Sequence, residues 1–211
     1  MFLLIKKFKI HKDNFKYLCT LLFIIFLSTV FNAYSKENIS LITIGNQNAK
    51  VTVKVFSSLT CPHCASFHKE IYNKLKTEFI DKNIVRFEHH SFPLDMAALN
   101  AEKILRCTND PKKRLDFLDK IYEKQDKWAS GSDINSINSK LIKIAKNYDL
   151  NDDKINNCLN DEKLEDQILN ARIDGNKKYS IESTPTILIN EKKYNGKHDY
   201  KTFKKEIEKL L

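Results

Sequence analysis

Val51-Thr52-Val53-Lys54-Val55-Phe56, a short spacer, and then Cys61-Pro62-His63-Cys64 form the stretch on which the rest of the chain depends. The first six residues have the β-branched and aromatic content of a buried strand. The last four open a helical pattern, because Cys64, Phe67, Ile71 and Leu75 fall on one stripe of a 3.6-residue repeat. Pro62 suits the first helical position, where its missing N–H would be unpaired anyway and its φ is preset. Two thiols three positions apart at a helix start can close a small disulfide ring. The unpaired N–H groups and partial positive charge there favour a thiolate. On this reading Cys61 sits at an exposed helix tip as the stronger acid, and Cys64 faces the core.

Working outward, Ile84 to Phe92 is a second strong strand signal, stopped by Pro93, and Ile39 to Ile44 is a shorter one upstream. Strand, helix and strand within about forty residues make a βαβ unit, whose right-handed crossover lays the helix on one sheet face. From Asp95 to about Ser180 the pattern becomes helical. Ala97, Ala101, Ile104 and Leu105 form one stripe, Leu115, Leu118, Tyr122 and Trp128 another, and Ile137, Leu141, Ile144 and Tyr148 a third. Pro111, Gly131 and Asn151-Asp152 separate them, and two further helices carry Ile155, Cys158 and Leu159, then Leu164, Ile168 and Ala171, inward. Strand pattern returns at Thr186 to Ile189. Tyr194-Asn195-Gly196 gives a hairpin-turn signal, and Tyr200 to Leu211 reads as a closing helix with Phe203, Ile207 and Leu210 inward.

The N-terminus reads as a cleavable secretory signal over residues 1–35. Lys6, Lys7, Lys9, Lys12 and Lys16 precede an uncharged apolar run from Tyr17 to Val30, and Ala33 and Ser35 suit cleavage. The remainder, 36–211, is long enough for one domain with a full core. The formal net charge of +9 comes from 36 basic and 27 acidic residues that interleave, as in Lys204-Lys205-Glu206-Ile207-Glu208-Lys209, so a nucleic-acid track is not expected. Cys19 falls in the leader. The four remaining cysteines are the Cys61/Cys64 pair, Cys107 and Cys158, an even number that in an exported chain favours disulfides. Cys107 and Cys158 both lie in the helical region and would otherwise be free thiols in an oxidising compartment, so a structural bond between them is expected.

A Cys-x-x-Cys pair has other uses. Haem attachment needs His directly after the second cysteine, and Ala65 stands there. Zinc needs two more ligands, but Cys107 and Cys158 are isolated and His89 and His90, adjacent on a strand, point to opposite faces. No metal or other cofactor is expected. A purely structural bond across so short a loop would be strained. Redox use of the pair fits best.

A sheet core split by a helical segment, Cys-Pro-His-Cys at the first helix, Thr184-Pro185-Thr186 before the last strands, Phe92-Pro93-Leu94 after the second main strand, and Cys107 within the helical region together resemble the DsbA-like disulfide oxidoreductases of the thioredoxin superfamily. The resemblance covers about Ile39 to Leu211. It implies an α/β, thioredoxin-like fold with a helical subdomain, about 95–180, inserted between the βαβ half and a C-terminal ββα half. It also implies an exported, periplasmic enzyme that introduces disulfides into other proteins. Cys61 would be the nucleophilic or attacked sulfur, Cys64 the resolving thiol, and His63 a neighbour favouring charge on Cys61. Pro185 would be a cis proline facing the dithiol, with Thr184 pairing to an extended client. Expected partners are unfolded or partly folded exported proteins with free cysteines and a membrane-bound, quinone-linked reoxidant. With no dimerisation segment in the pattern, a monomer is expected. The rival readings are an isomerase or reductase, and a non-enzymatic scaffold with structural disulfides. One departure from the family is Val55, where many relatives carry an acidic residue.

Overall fold

In the computed structural model, which describes residues 39–211 together with Tyr17, five strands form one mixed sheet. They are β1 (Ile42–Ile44), β2 (Val51–Ser57), β3 (Val85–Ser91), β4 (Thr186–Ile189) and β5 (Lys192–Lys193), in the spatial order β1-β3-β2-β4-β5. Only β2 and β3 run parallel, and between them the chain makes the βαβ crossover. β2 is central, with Val53 opposite Phe87 on one side and Ile189 on the other. Burial on both faces explains why its sequence is so rich in β-branched residues. The leader expected over residues 1–35 lies outside the described residues, Tyr17 apart.

The crossover is helical from Pro62 to Ile80. It starts as α1 (Pro62–Phe67), passes through a π-helical stretch at His68–Tyr72 and the short α2 (Asn73–Leu75), and ends in a second π-helical stretch at Lys76–Ile80. Between β3 and β4 come α3 (Met96–Arg106), α4 (Pro111–Glu123), α5 (Gln125–Trp128), α6 (Ile134–Ala145), α7 (Asp152–Leu159) and α8 (Glu162–Tyr179), and α9 (Tyr200–Glu208) follows β5. This arrangement is the fold class the sequence implies. Asp95, Asp110, Asp133, Asn151, Asp161 and Asp199 each cap a helix by accepting a backbone N–H in its first turn, which is why the breaks between the helical stripes fall where they do.

The apolar residues divide by sheet face. Val51, Val53 and Val55 of β2 pack with Phe67, Ile71, Leu75, Phe203 and Ile207 from the crossover helix and α9. On the opposite face Phe56 meets Phe92, Ile181 and Leu188. There α8 comes so close that a Cβ on Gly175 would lie 2.6 Å from the Phe56 ring, so glycine is required for the approach. The helical residues form a third cluster around Ile104, Leu105, Phe117, Leu118, Ile121, Trp128 and Leu141, and this cluster also takes in Leu59, Cys61 and Cys64. The dithiol thus stands at the seam between the helices and the sheet.

Three local expectations need correction. The strand expected over Ile39 to Ile44 is only Ile42–Ile44. The hairpin turns at Asn190-Glu191, both with positive φ, and not at Tyr194-Asn195-Gly196. A two-residue turn of this kind needs left-handed backbone at both positions. Asn190 also pins the turn to β2, accepting from Thr52 N at 2.8 Å and donating to Lys50 O at 3.2 Å. Leu210 lies beyond the end of α9 and is 38% exposed, because the helix stops at Glu208.

Candidate active site

Cys61 is the N-cap of α1, with extended backbone at φ −75° and ψ 120°, and Pro62 follows in the first turn. Cys64 N and Ala65 N both donate to Cys61 O, at 3.0 and 3.2 Å. The strand preceding the motif ends in a buried loop whose shape is fixed by side chains from far along the chain. Gln125 Nε2 of α5 donates to Leu59 O at 2.8 Å and Cys61 O at 3.0 Å. Thr60 Oγ1 donates to Asp95 Oδ2 at 2.7 Å, while Oδ1 of the same carboxylate caps α3 through Ala98 N at 2.7 Å. The helical segment therefore holds the loop from two sides.

Cys61 and Cys64 are both free thiols, and both are buried. Cys61 is 8% exposed, which corrects the expectation of an exposed tip, and Cys64 is 1% exposed. What covers Cys61 is the segment before β4. Its Sγ donates to Thr184 O at 3.3 Å, and the Thr184–Pro185 peptide bond beside it is cis. Thr184, Pro185 and the motif thus meet across 123 residues of sequence. Pro62 and His63 are exposed on the outer side of the helix start.

The two sulfurs differ in acidity. Hydrogen bonding to Cys64, to Thr184, and to the backbone N–H groups of Cys64 and His63 brings Cys61 down to about 5 against the opposing pull of burial. Burial, with the charge on Cys61 added, pushes Cys64 far above the ordinary thiol range. One sulfur is a ready thiolate and leaving group at neutral pH; the other is a stored thiol.

Cys107, at the end of α3, and Cys158, in α7, are joined as a disulfide with Cα atoms 6.2 Å apart. His89 and His90 turn to separate carboxylates: Glu102 Oε1 at 2.7 Å for His89 and Glu88 Oε2 at 3.0 Å for His90. Among the described residues no group of three or more His, Cys, Asp or Glu side chains is placed to hold a metal. Glu102 is completely buried. Its second oxygen accepts from Ser91 Oγ at 2.7 Å, and Arg106 stands beside it.

Sequence reasoning missed three buried polar residues, His68, Gln125 and Glu102. His68, which reads as helix surface, is 6% exposed, stacked on Tyr72 and bonded to Asp119 Oδ1 at 2.8 Å. The signal was its spacing, four after Cys64, which puts both on one face. Gln125 and Glu102 carry no comparable signal, since each is a polar residue whose burial depends on partners distant in sequence.

The parallel β2–β3 pair, the helix-start dithiol and the cis proline against it define a thioredoxin-like class of protein. The chain belongs to the thioredoxin family: the family model described as Thioredoxin matches residues 37–209. Disulfide bond formation protein D of Bacillus subtilis is 30% identical over 177 residues, 80% of this chain and 76% of that protein. A Rickettsia bellii protein named as a protein-disulfide oxidoreductase is 29% identical over 147 residues, which are 70% of this chain and only 56% of the relative. Among solved structures, Wolbachia pipientis alpha-DsbA1 matches with a TM-score of 0.75 and 27% identity, covering 82% of this chain and 92% of that one. Oxidised BdbD from Bacillus subtilis matches at 0.71 and 28%, covering 81% and 92%. The likeness to these DsbA structures covers the helical segment as well as the sheet, and it places the chain among the thiol:disulfide oxidoreductases.

Proposed function

We propose that this chain is an exported oxidase of protein thiols, with Cys61 exchanging disulfides with client polypeptides and Cys64 as the resolving thiol. The observation that carries the reading is geometric: two free thiols at the start of α1, with Cys61 as its N-cap against Thr184 O and Cys64 buried behind it, an arrangement that sets the two sulfurs apart in acidity. A Cys61 thiolate stabilised to a pKa of about 5 favours the reduced enzyme, so the Cys61–Cys64 disulfide passes readily to other thiols. A client thiolate attacks Cys61 Sγ, Cys64 leaves and takes up a proton, and the client's second thiolate then displaces Cys61 from the mixed disulfide.

Thr184 and Pro185 supply the surface on which an extended client lies, and the backbone N–H of His63 contributes to the charge stabilisation. Clients are unfolded or partly folded exported proteins with free cysteines, and reoxidation comes from a membrane-bound, quinone-linked partner acting on the monomer. Export to the periplasm is supported by the lysine-rich start and apolar run of the sequence, and by a Cys107–Cys158 disulfide suited to an oxidising compartment. Among the described residues no helix is long and apolar enough to cross a membrane.

Trapping tests the roles. Cys64→Ser should accumulate mixed disulfides with clients through Cys61, and Cys61→Ser should accumulate none. Equal trapping by both variants would overturn the assignment.

A further inference from the structure

Cys64 must change protonation in every cycle, yet it is the less accessible of the two sulfurs and burial holds its proton tightly. One turn along the helix lies His68, whose backbone N–H bonds to the carbonyls of Cys64 and Ala65, so the two side chains stand on one helix face. The His68 ring lies 4.2 Å from that of Tyr72 and 4.7 Å from that of Tyr122, centroid to centroid. Its Nε2 is 2.8 Å from Asp119 Oδ1. A carboxylate accepts, so Nε2 carries the proton in this pair and Nδ1 keeps its lone pair.

The Asp119 side chain is 35% exposed. With Ala65, His68, Tyr122 and Glu123 it lines a cavity of about 420 Å³ that opens to solvent. The hydroxyl of Tyr122, a residue in the same apolar cluster as Cys64, is buried without a hydrogen-bond partner among the described residues. The cavity thus brings solvent to the His68–Asp119 pair and to Tyr122 and Ala65, which pack in the cluster that holds Cys64.

We propose that His68, positioned by Asp119, is the base and acid that serves Cys64; this rests on reading Cys61 and Cys64 as the redox pair. In ring closure the Cys64 thiol gives its proton to His68 Nδ1 and its sulfur pair bonds to Cys61 Sγ. The bond from Cys61 to the partner sulfur breaks, and the partner departs as a thiolate. Cys61 and Cys64 are oxidised and the partner's disulfide is reduced. His68 then releases the proton to solvent past Asp119, and client oxidation runs the transfer in reverse. Facing His68 are Asp119 and Tyr122 from α4, His89 from β3, and Tyr72 from its own helix, with Lys69 and Glu123 on the cavity wall and Cys64 one turn before it. Burial depresses the imidazole pKa more than Asp119 raises it, so His68 is neutral and able to accept a proton at neutral pH.

The test uses the reduced full chain and oxidised glutathione, with acid quenching and intact-mass detection. The first step forms the Cys61–glutathione mixed disulfide, and the second is the attack by Cys64. In the wild type the second step should fall away as pH drops through the lowered His68 pKa. His68→Gln should slow it by about tenfold or more and replace the plateau with a continuous rise with pH, leaving the first step unchanged. Asp119→Asn, which keeps the side chain's shape and stands as the deciding variant if His68→Gln does not fold, should slow the second step less and move its midpoint to lower pH. Imidazole added to His68→Ala should restore the rate. A wild-type rate and pH profile for the second step in His68→Gln, or equal slowing of both steps, would overturn the proposal. Absence of any Cys61 mixed disulfide in the wild type would instead refute the redox reading beneath it.

Discussion

Acidifying the reduced protein should remove the part of its stability that depends on the Cys61 thiolate. The sulfur has a pKa of about 5 in the folded chain, against 9.0 for an unperturbed thiol. Between those values the folded state binds fewer protons at Cys61 than the unfolded state does. Stability therefore rises with pH across this window and is lost as pH falls through 5. At neutral pH about two pKa units are realised, worth about 3 kcal/mol, and the full gap above the unperturbed value is worth about 5 kcal/mol. Solvent at the helix start screens part of this, so both figures are upper values. Cys64 is shifted the other way and stays protonated throughout the window, adding nothing there. The assay is urea unfolding of wild type and Cys61→Ser, both in reducing buffer, from roughly pH 4 to 8, with ultraviolet thiolate absorbance followed in parallel. The stability difference between the two should grow with pH above the midpoint near 5. A difference that does not change with pH, or a thiolate midpoint near the ordinary value, would refute the reasoning.

Gln125→Leu leaves the Leu59 carbonyl without its buried donor and takes one of three donors from the Cys61 carbonyl, and should cost about 1–3 kcal/mol in urea unfolding while slowing client oxidation. A stability change within experimental error would show that the loop does not depend on it. Glu102→Ala removes the partner of His89 and Ser91 beside Arg106 and should cost about 3–5 kcal/mol, read by the same method. Joint replacement of Cys107 and Cys158 by serine opens a bond spanning 51 residues and should cost about 4 kcal/mol in the chain-entropy limit; both residues found alkylatable in the untreated protein would exclude the bond.

The βαβ half was legible because its signals are local. Val51 to Phe56 and the Cys64–Phe67–Ile71–Leu75 stripe each state their period within a few residues, and the helix start is marked by Pro62. Helical stripes such as Ala97, Ala101 and Ile104 were equally plain. The hairpin was harder, because Asn195-Gly196 is the stronger dipeptide signal, whereas the turn at Asn190-Glu191 gains from side-chain bonds to β2 that only the folded sheet provides. Burial of Cys61 was missed for a similar reason, since Thr184 covers it from across the chain. Charged and amide residues count as surface in any periodicity argument. Glu102 and Gln125 could not be recognised as interior until the groups they satisfy were placed around them.

Trp128 is the single tryptophan of the chain, and it lies in the same short helix as Gln125, three residues on. It is fully buried, with its indole N–H bonded to Ile121 O at 2.9 Å, while Gln125 grips the loop behind Cys61. The turn that holds this loop is thus also the turn that carries the protein's only indole fluorophore. Tryptophan emission, compared between the reduced and the oxidised protein, therefore reports on this one turn alone and reads whether the loop behind Cys61 moves with the dithiol.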